Sequence, residues 1–466
     1  MRMIEQSYLK LFSLAFIGFV LWGRPLLRAE EPSLRMRIDQ LAQPYLDSET
    51  VVGMTIGVLH NGQTETMGYG RTGTKGTPVP NGETIYEIGS LSKVFTGVLL
   101  ADAVVRGQVR LDQPAGELLP PDVKMPIRRE QAITLQDLST HVSGLPRLPD
   151  NMKFKNPENP YADYTTEDLN AFLKNYQLTR APGEKSEYSN LGTGLLGQLL
   201  ASQAHSPYEQ LLRERIATPL DMSSTTITLN SRQQFRLALP HLADGQPTQN
   251  WDIPTLAGAG AIRSSTNDIL RFAAANLTPP PGQLGQALEM AWSIHQEPVN
   301  KEDFAMGLGW MVARDGKTRW HNGQTGGYHS ILYVNREIPA AVVILTNTAT
   351  GEVDRLGEDI IRMLAGAKVE PRVFEKTVIV PPDVLQKYVG KYKLAPGAVF
   401  TVSVDEGKLM VGLTGQPTFQ VFARSETEWY YKVVKATLTF EPDKNGDCHS
   451  LVLFQSGVKQ KATRIP

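Results

Sequence analysis

The chain has 466 residues, 41% of them apolar and 20% charged, with 47 basic against 48 acidic side chains. That balance belongs to a folded globular protein with room for more than one domain, and it excludes intrinsic disorder, a collagen-like repeat and a disulfide-rich miniprotein. A formal net charge of −1 leaves no basic footprint for nucleic acid, and the single cysteine, Cys448, excludes an internal disulfide and a multi-cysteine metal site.

Along the chain, Arg2 and Lys10 precede an uncharged run from Leu11 to Trp22. The run is shorter than the ~20 apolar residues that span a bilayer. It fits the apolar region of a secretory signal, with Ala29 before the cut. Residues 1–29 are therefore expected to be a signal peptide and the protein to be exported, periplasmic or secreted. A retained N-terminal membrane anchor is the alternative, because Arg24 and Pro25 are poor lead-ins to a cleavage site. No cysteine lies near the junction, which excludes a lipoprotein.

Leu34, Ile38, Leu41 and Tyr45 recur at helical spacing over residues 33–48. Val51–Leu59 and Thr64–Tyr69 read as strands around Asn61-Gly62, a strong hairpin signal. Residues 88–106 read as a helix, and residues 107–300 mix helices with Pro and Gly turns. Tyr328–Asn335 and Ala340–Thr346 read as strands, and Glu352–Leu364 as an amphipathic helix. Strands early and late around a helical middle predict one domain over residues 30–370, its sheet built from both ends.

Prolines 371, 381 and 382 mark a linker over residues 371–383. Residues 384–466 carry short strand-like runs at 399–404, 408–413, 418–422, 428–434, 437–440 and 451–454, the pattern of a small β-barrel or sandwich.

Several motifs are decoys. Gly192-Thr-Gly194-Leu-Leu-Gly197 matches a dinucleotide fingerprint but follows no strand, so helix packing explains it better. The eight histidines show no paired metal spacing, so no metal or cofactor is expected. No G-x-S-x-G elbow is present.

Ser90-Leu-Ser-Lys93 is different. Ser-x-x-Lys occurs three times, but only here does it open a helix. There the residues at i and i+3 share a face, so Lys93 can reach the Ser90 hydroxyl. A serine is a weak nucleophile until a neighbour takes its proton, and a lysine with a lowered pKa can do so. Tyr188-Ser-Asn190 offers a phenol for proton transfer and an amide for a substrate carbonyl. His321-Asn-Gly323-Gln324-Thr-Gly-Gly327 precedes the strand at Tyr328. A Gly-rich strand edge lets a ligand backbone approach, and His321 is placed to sense or donate a proton.

The ordered set Ser90-x-x-Lys93, Tyr188-x-Asn190, His321-x-Gly323 resembles the serine β-lactamase and penicillin-binding-protein family, closest to class C β-lactamases. Tyr86–Gly97, Ile133–Pro146, Ala181-Pro-Gly183, Gly307-Leu-Gly-Trp310 and Thr325-Gly-Gly327 are similar to further stretches of that family. The resemblance covers roughly residues 33–365.

It implies an α/β (α+β) fold in which helices flank an antiparallel sheet beside an all-helical lobe, followed by a small all-β barrel. It also implies Ser90 as the acylated nucleophile, Lys93 and Tyr188 as the proton-transfer pair, and Asn190 on the substrate amide. The backbone N–H groups of Ser90 and Gln324 would form the oxyanion hole, with His321 and Gly323 in the substrate site.

Three departures touch substrate recognition. The usual Lys-Thr-Gly is His321-Asn322-Gly323. Class C enzymes usually place a glutamine just after Gly-Leu-Pro, and here Leu148 stands near that spot. The segment before the third motif shrinks to Met311–Trp320.

The expected function is an exported serine hydrolase opening β-lactams or related amides and esters through an acyl-enzyme. The alternatives are a D-Ala-D-Ala carboxypeptidase, endopeptidase or esterase, and, from another class, a non-catalytic peptidoglycan or penicillin binder. The expected partners are a β-lactam or cell-wall peptide, with peripheral or N-terminal membrane association, and the protein is expected to be a monomer. Because histidine titrates between about pH 5 and 8, preference for carboxylate-bearing substrates is expected to rise on acidification. His321→Lys is expected to raise it too.

Overall fold

The computed structural model describes residues 32–374, 377–405 and 407–466. The expected signal peptide lies outside the described residues. A helix, Leu34–Asp47, opens the described chain, capped by the Ser33 hydroxyl on the Met36 amide. Strands β1 (Gly53–His60) and β2 (Gln63–Gly70) form a hairpin. Its two-residue turn places Asn61 and Gly62 at φ 50° and 78°, the left-handed region that Asn-Gly tolerates.

Two short strands, β3 (Ile85–Glu87) and β4 (Arg263–Ser265), pair with one another away from the main sheet. Four more, β5 (Met311–Val312), β6 (Thr318–Gln324), β7 (His329–Asn335) and β8 (Ala340–Thr346), complete that sheet. Its order is β2-β1-β8-β7-β6-β5, with every neighbour antiparallel. Met54 therefore pairs with Thr346 across most of the domain's sequence.

Both faces of the sheet are covered. In β8, Ala340, Val342 and Ile344 join Ile38, Leu41, Met54, Leu356 and Ile360 in one core beneath the Leu34–Asp47 and Glu352–Leu364 helices. Ala341, Val343 and Leu345 face a second core with the helix Ser92–Val105 and the helical lobe. Burial on both faces makes β8 a continuous apolar run, which is why it is visible in the sequence.

The chain then forms a closed eight-stranded barrel: β9 (Gly390–Ala395), β10 (Ala398–Asp405), β11 (Lys408–Leu413), β12 (Thr418–Ala423), β13 (Glu428–Tyr431), β14 (Ala436–Pro442), β15 (Cys448–Gln455) and β16 (Val458–Ile465). Six of these match the strand-like runs. The two missed are β9 and β16, which pair to close the barrel. Only Tyr392 in β9 and Ala462 in β16 are buried, while lysines 391, 393, 459 and 461 point outward.

The Pro-rich segment is tied down at several points. Phe374 packs edge-on against Tyr45, with ring centroids 4.7 Å apart. The Val378 amide bonds the Ala423 carbonyl at 2.9 Å, and Val380 enters the barrel core. Lys432 of the barrel reaches the Ser48 carbonyl at 3.0 Å. No helix among the described residues is long and apolar enough to cross a membrane.

Candidate active site

Ser90 sits in a single 3₁₀ turn, Gly89–Leu91, that feeds the helix Ser92–Val105. Lys93 is the second residue of that helix and is fully buried. Its Nζ lies 3.1 Å from Ser90 Oγ, 2.8 Å from Asn190 Oδ1 and 2.7 Å from the Ala259 carbonyl. Burial, helped by the positive charge of Arg147, pushes the Lys93 pKa well below its ordinary value.

Without its extra proton the Lys93 amine would have two N–H donors and one lone pair. The Ala259 carbonyl and Asn190 Oδ1 can only accept, so they take the two donors. The lone pair is left for the Ser90 hydroxyl, which can donate. In that state Nζ would face the Ser90 hydroxyl with its lone pair.

Tyr188 precedes the helix Asn190–Gln203, which Ser189 caps through the Gly192 amide at 2.8 Å. Burial raises the Tyr188 pKa, while its interaction with Ser90 and the charge of Arg147 pull it down. The net direction is upward, so the phenol keeps its proton. Lys93 Nζ lies 4.8 Å from the Tyr188 ring centroid and the His141 ring 4.6 Å from it. Asn190 Nδ2 donates to the Tyr161 hydroxyl at 3.0 Å.

The third motif was expected as a Gly-rich edge directly before the strand at Tyr328. Its first four residues, His321–Gln324, themselves end a strand, β6, paired with β7 from Thr318↔Asn335 to Gln324↔His329, and Thr325–Gly327 form the bend between the two. Gly323 permits the docking of β6 on the nucleophile turn. A Cβ there would lie 2.0 Å from the Ile88 carbonyl and 2.6 Å from the Ser90 amide nitrogen. Gly89 answers from the other side, with φ +50° and a would-be Cβ 2.6 Å from the Gln324 amide nitrogen. The two glycines thus bring the Ser90 and Gln324 backbones together, the arrangement an oxyanion hole needs.

His321 differs from expectation. It is fully buried beneath the cleft, its Nδ1 bonded to the Asn322 carbonyl and its Nε2 without a hydrogen-bond partner among the described residues. Burial, with the charge of Lys93, pushes its pKa down to about 3. It stays neutral between pH 5 and 8, so the expected pH-dependent switch in substrate preference does not arise from it.

The cleft above Ser90 is lined by Tyr161, Asn190, Trp251, Ile253, Gln324 and Thr325. Tyr161 and Trp251 form an aromatic pair with centroids 5.4 Å apart. Glu87 holds that wall in place through the Trp251 amide at 3.0 Å and the Asn250 amide at 2.9 Å. Sequence reasoning did not find Tyr161, Trp251 or the Ala259 carbonyl. Nothing in the chain's local pattern marks residues that converge from segments about 90 positions apart, and a backbone carbonyl carries no sequence signal.

The Gly192, Gly194 and Gly197 run lies on the helix Asn190–Gln203. There Gly194 meets Leu256, and Gly197 meets Gly258, so the run is a packing stripe. Among the described residues no group of three or more His, Cys, Asp or Glu side chains could hold a metal ion.

Comparison with known proteins places this geometry. The β-lactamase family profile matches residues 38–367, and a domain of unknown function (DUF3471) matches residues 375–464. The D-alanyl-D-alanine-carboxypeptidase/endopeptidase AmpH of Escherichia coli is 30% identical over 332 residues, covering 67% of this chain and 84% of that protein. A β-lactamase of Pseudomonas fluorescens is 26% identical over 280 residues, covering 59% and 74% respectively. Among solved structures, the β-lactamase/D-alanine carboxypeptidase of Yersinia pestis aligns with a TM-score of 0.62 at 24% identity, over 72% of this chain and 99% of that one. A class C β-lactamase aligns with a TM-score of 0.63 at 22% identity, over 72% and 97%. These last two likenesses concern the fold.

Proposed function

The chain belongs to the serine β-lactamase and penicillin-binding-protein family, and from that premise we propose an exported hydrolase of class C type that forms its acyl-enzyme on Ser90. The substrate is a β-lactam or a related amide or ester. One observation carries the reading: Lys93 Nζ, buried and held by two obligate acceptors, lies 3.1 Å from Ser90 Oγ.

In this mechanism Lys93 accepts the Ser90 proton as Oγ bonds to the substrate carbonyl carbon. The carbonyl oxygen gains the negative charge and turns toward the Ser90 and Gln324 backbone amides. Tyr188, kept protonated by burial, gives its proton to the leaving nitrogen or oxygen as that bond breaks, and the Lys93 ammonium restores it. Water then hydrolyses the ester on Ser90. Asn190 stands at the cleft wall to meet the substrate's amide side chain, and His321 acts from below as a neutral spacer under Tyr188 and Lys93.

A second reading, hydrolysis of D-Ala-D-Ala cell-wall peptides, is favoured by the similarity to AmpH over 84% of that protein. Nitrocefin and a fluorescent penicillin separate the two. Fast nitrocefin turnover supports the β-lactamase reading. A persistent label on Ser90 without turnover, together with release of D-alanine from a pentapeptide, supports the peptidase. Absence of any adduct on Ser90 would overturn both.

A further inference from the structure

The family's third motif usually carries a lysine, and this chain has His321 there, fully buried and neutral. Lys93 is buried too and occupied by three neighbours. If the substrate bears a carboxylate, its countercharge must come from elsewhere, and the loop docked on the second motif supplies one candidate.

Arg147 directly follows Gly144-Leu-Pro146 and is exposed. Its guanidinium carbon stands 5.1 Å from the Tyr188 ring centroid, on the second motif itself. Its backbone is fixed to that motif. The Arg147 carbonyl accepts from the Asn190 amide at 3.0 Å and the Leu191 amide at 3.2 Å, and the Pro146 carbonyl accepts from the Ser189 hydroxyl at 2.7 Å. Its charge is felt at Lys93, Tyr188, His141 and Tyr161, the last a wall residue of the Ser90 cleft.

Neighbouring arginines are spent. Arg263 pairs with Glu87 and Asp252, and Arg180 with Glu187. Among the described residues no acid lies in ion-pair range of Arg147. A guanidinium without a carboxylate partner, anchored by its backbone over a proton-transfer tyrosine, presents a planar fork that matches a carboxylate.

We propose that Arg147 recognises the substrate's carboxylate, supplying from the loop beside Tyr188 and Asn190 the positive charge that the third motif lacks. The inference rests on the hydrolase reading of the Ser90 site and names its substrate class: acyl compounds with a free carboxylate near the scissile bond.

The test compares a cephalosporin with its methyl ester, which differ in that one charge. In the wild type, kcat/KM for the acid should exceed that for the ester, and the excess should shrink as salt rises from about 0.05 to 0.5 M, because exposed charges are screened. In Arg147→Gln the acid-to-ester ratio should fall about 10-fold or more, the worth of a charge-assisted contact. Arg147→Lys should recover part of the ratio and Arg147→Glu should lower it further. The side chain is exposed, so these variants should fold, and circular dichroism checks that. A wild type that hydrolyses both compounds at a ratio unchanged by all three substitutions overturns the inference and leaves the hydrolase reading standing. A wild type that forms no Ser90 adduct with either compound overturns both.

Discussion

The β-lactamase-like domain and the C-terminal barrel are both antiparallel β-structures, yet their interiors hold different things. The barrel encloses Phe400, Val402, Leu409, Val411, Leu438, Phe440 and Leu451, with Tyr388 stacked on Phe440 at 4.2 Å. Among the described residues from 377 onward, Ser450 is the buried polar side chain. The larger domain buries Glu87, Lys93, His141, Asp268 and His321, several with strongly displaced pKa values. Burying ionisable groups costs stability unless each is paired. Where a fold accepts that cost in a cluster beside a cleft, chemistry is the expected return. The contrast places the buried ionisable groups in the larger domain, the one that carries Ser90.

The largest expected effect comes from Ser90→Ala. Intact-mass measurement after treatment with a β-lactam or a phosphonate should show an adduct on the wild type and none on the variant. An equal adduct on Ser90→Ala would move the nucleophile elsewhere. A barrel-seam substitution, Ala462→Asp, should leave the Ser90 adduct in place while destabilising the C-terminal region, since Ala462 is fully buried.

Tyr188→Phe keeps the ring between Lys93 and His141 and removes the hydroxyl. Turnover should fall ~10²-fold or more, the usual cost of a lost proton-transfer group. Turnover within a few-fold of wild type would make Tyr188 a packing residue.

Gly323→Ala tests backbone approach. Its Cβ would meet the Ile88 carbonyl at 2.0 Å, so β6 must withdraw from the Ser90 turn. Small displacements of catalytic groups cost up to ~10² in rate, and a loss of that order in kcat is expected with the fold intact. An unchanged kcat would separate the oxyanion donors from this contact.

A smaller effect concerns pH. Unfolded, a histidine binds its proton near pH 6.5; folded, His321 does so only at about 3. Between those values the unfolded chain holds more protons, so His321 makes stability fall as pH drops from ~6.5 toward 3. His141, also depressed by burial, acts in the same direction. His321→Gln should flatten the dependence by up to one proton, about 1.4 kcal/mol per pH unit. Urea unfolding at pH 5 and pH 7 measures it. Equal slopes in both proteins would mean that His321 takes up its proton alike in both states.

The smallest effect sharpens the domain boundary. Residues 30–370 are proposed to fold without the barrel. Because Phe374 packs on Tyr45, residues 30–374 should melt cooperatively and a few degrees higher than residues 30–370. Non-cooperative melting of both would mean that the two regions share one folding unit.

Much of this was legible in the chain, and the reasons are local. The hairpin turn at Asn61-Gly62, the helix Glu352–Leu364, the strand Ala340–Thr346 and six barrel strands announce themselves through turn chemistry and through burial on one face or both. Ser90 and Lys93 were found because helical spacing alone brings them onto one face, and the resemblance then drew in Tyr188, Asn190 and Gln324. The strands β9 and β16 were not found, because each buries a single side chain between lysines and is held by its partner rather than by its own pattern. β6 was not delimited as a strand because its Gly and Asn residues carry no strand pattern of their own until β7 pairs with it.

What the residues decide by themselves is which groups are present and which near neighbours share a face. The state of those groups was decided by the tertiary structure. A histidine in the third motif suggests a titrating switch, and only complete burial beside Lys93 makes it a neutral spacer. An arginine after Gly-Leu-Pro reads as ordinary surface, and only the docking of its loop on Asn190 sets it over Tyr188. Charge state depends on desolvation and on neighbours brought from far along the chain, and those exist only once the chain has folded.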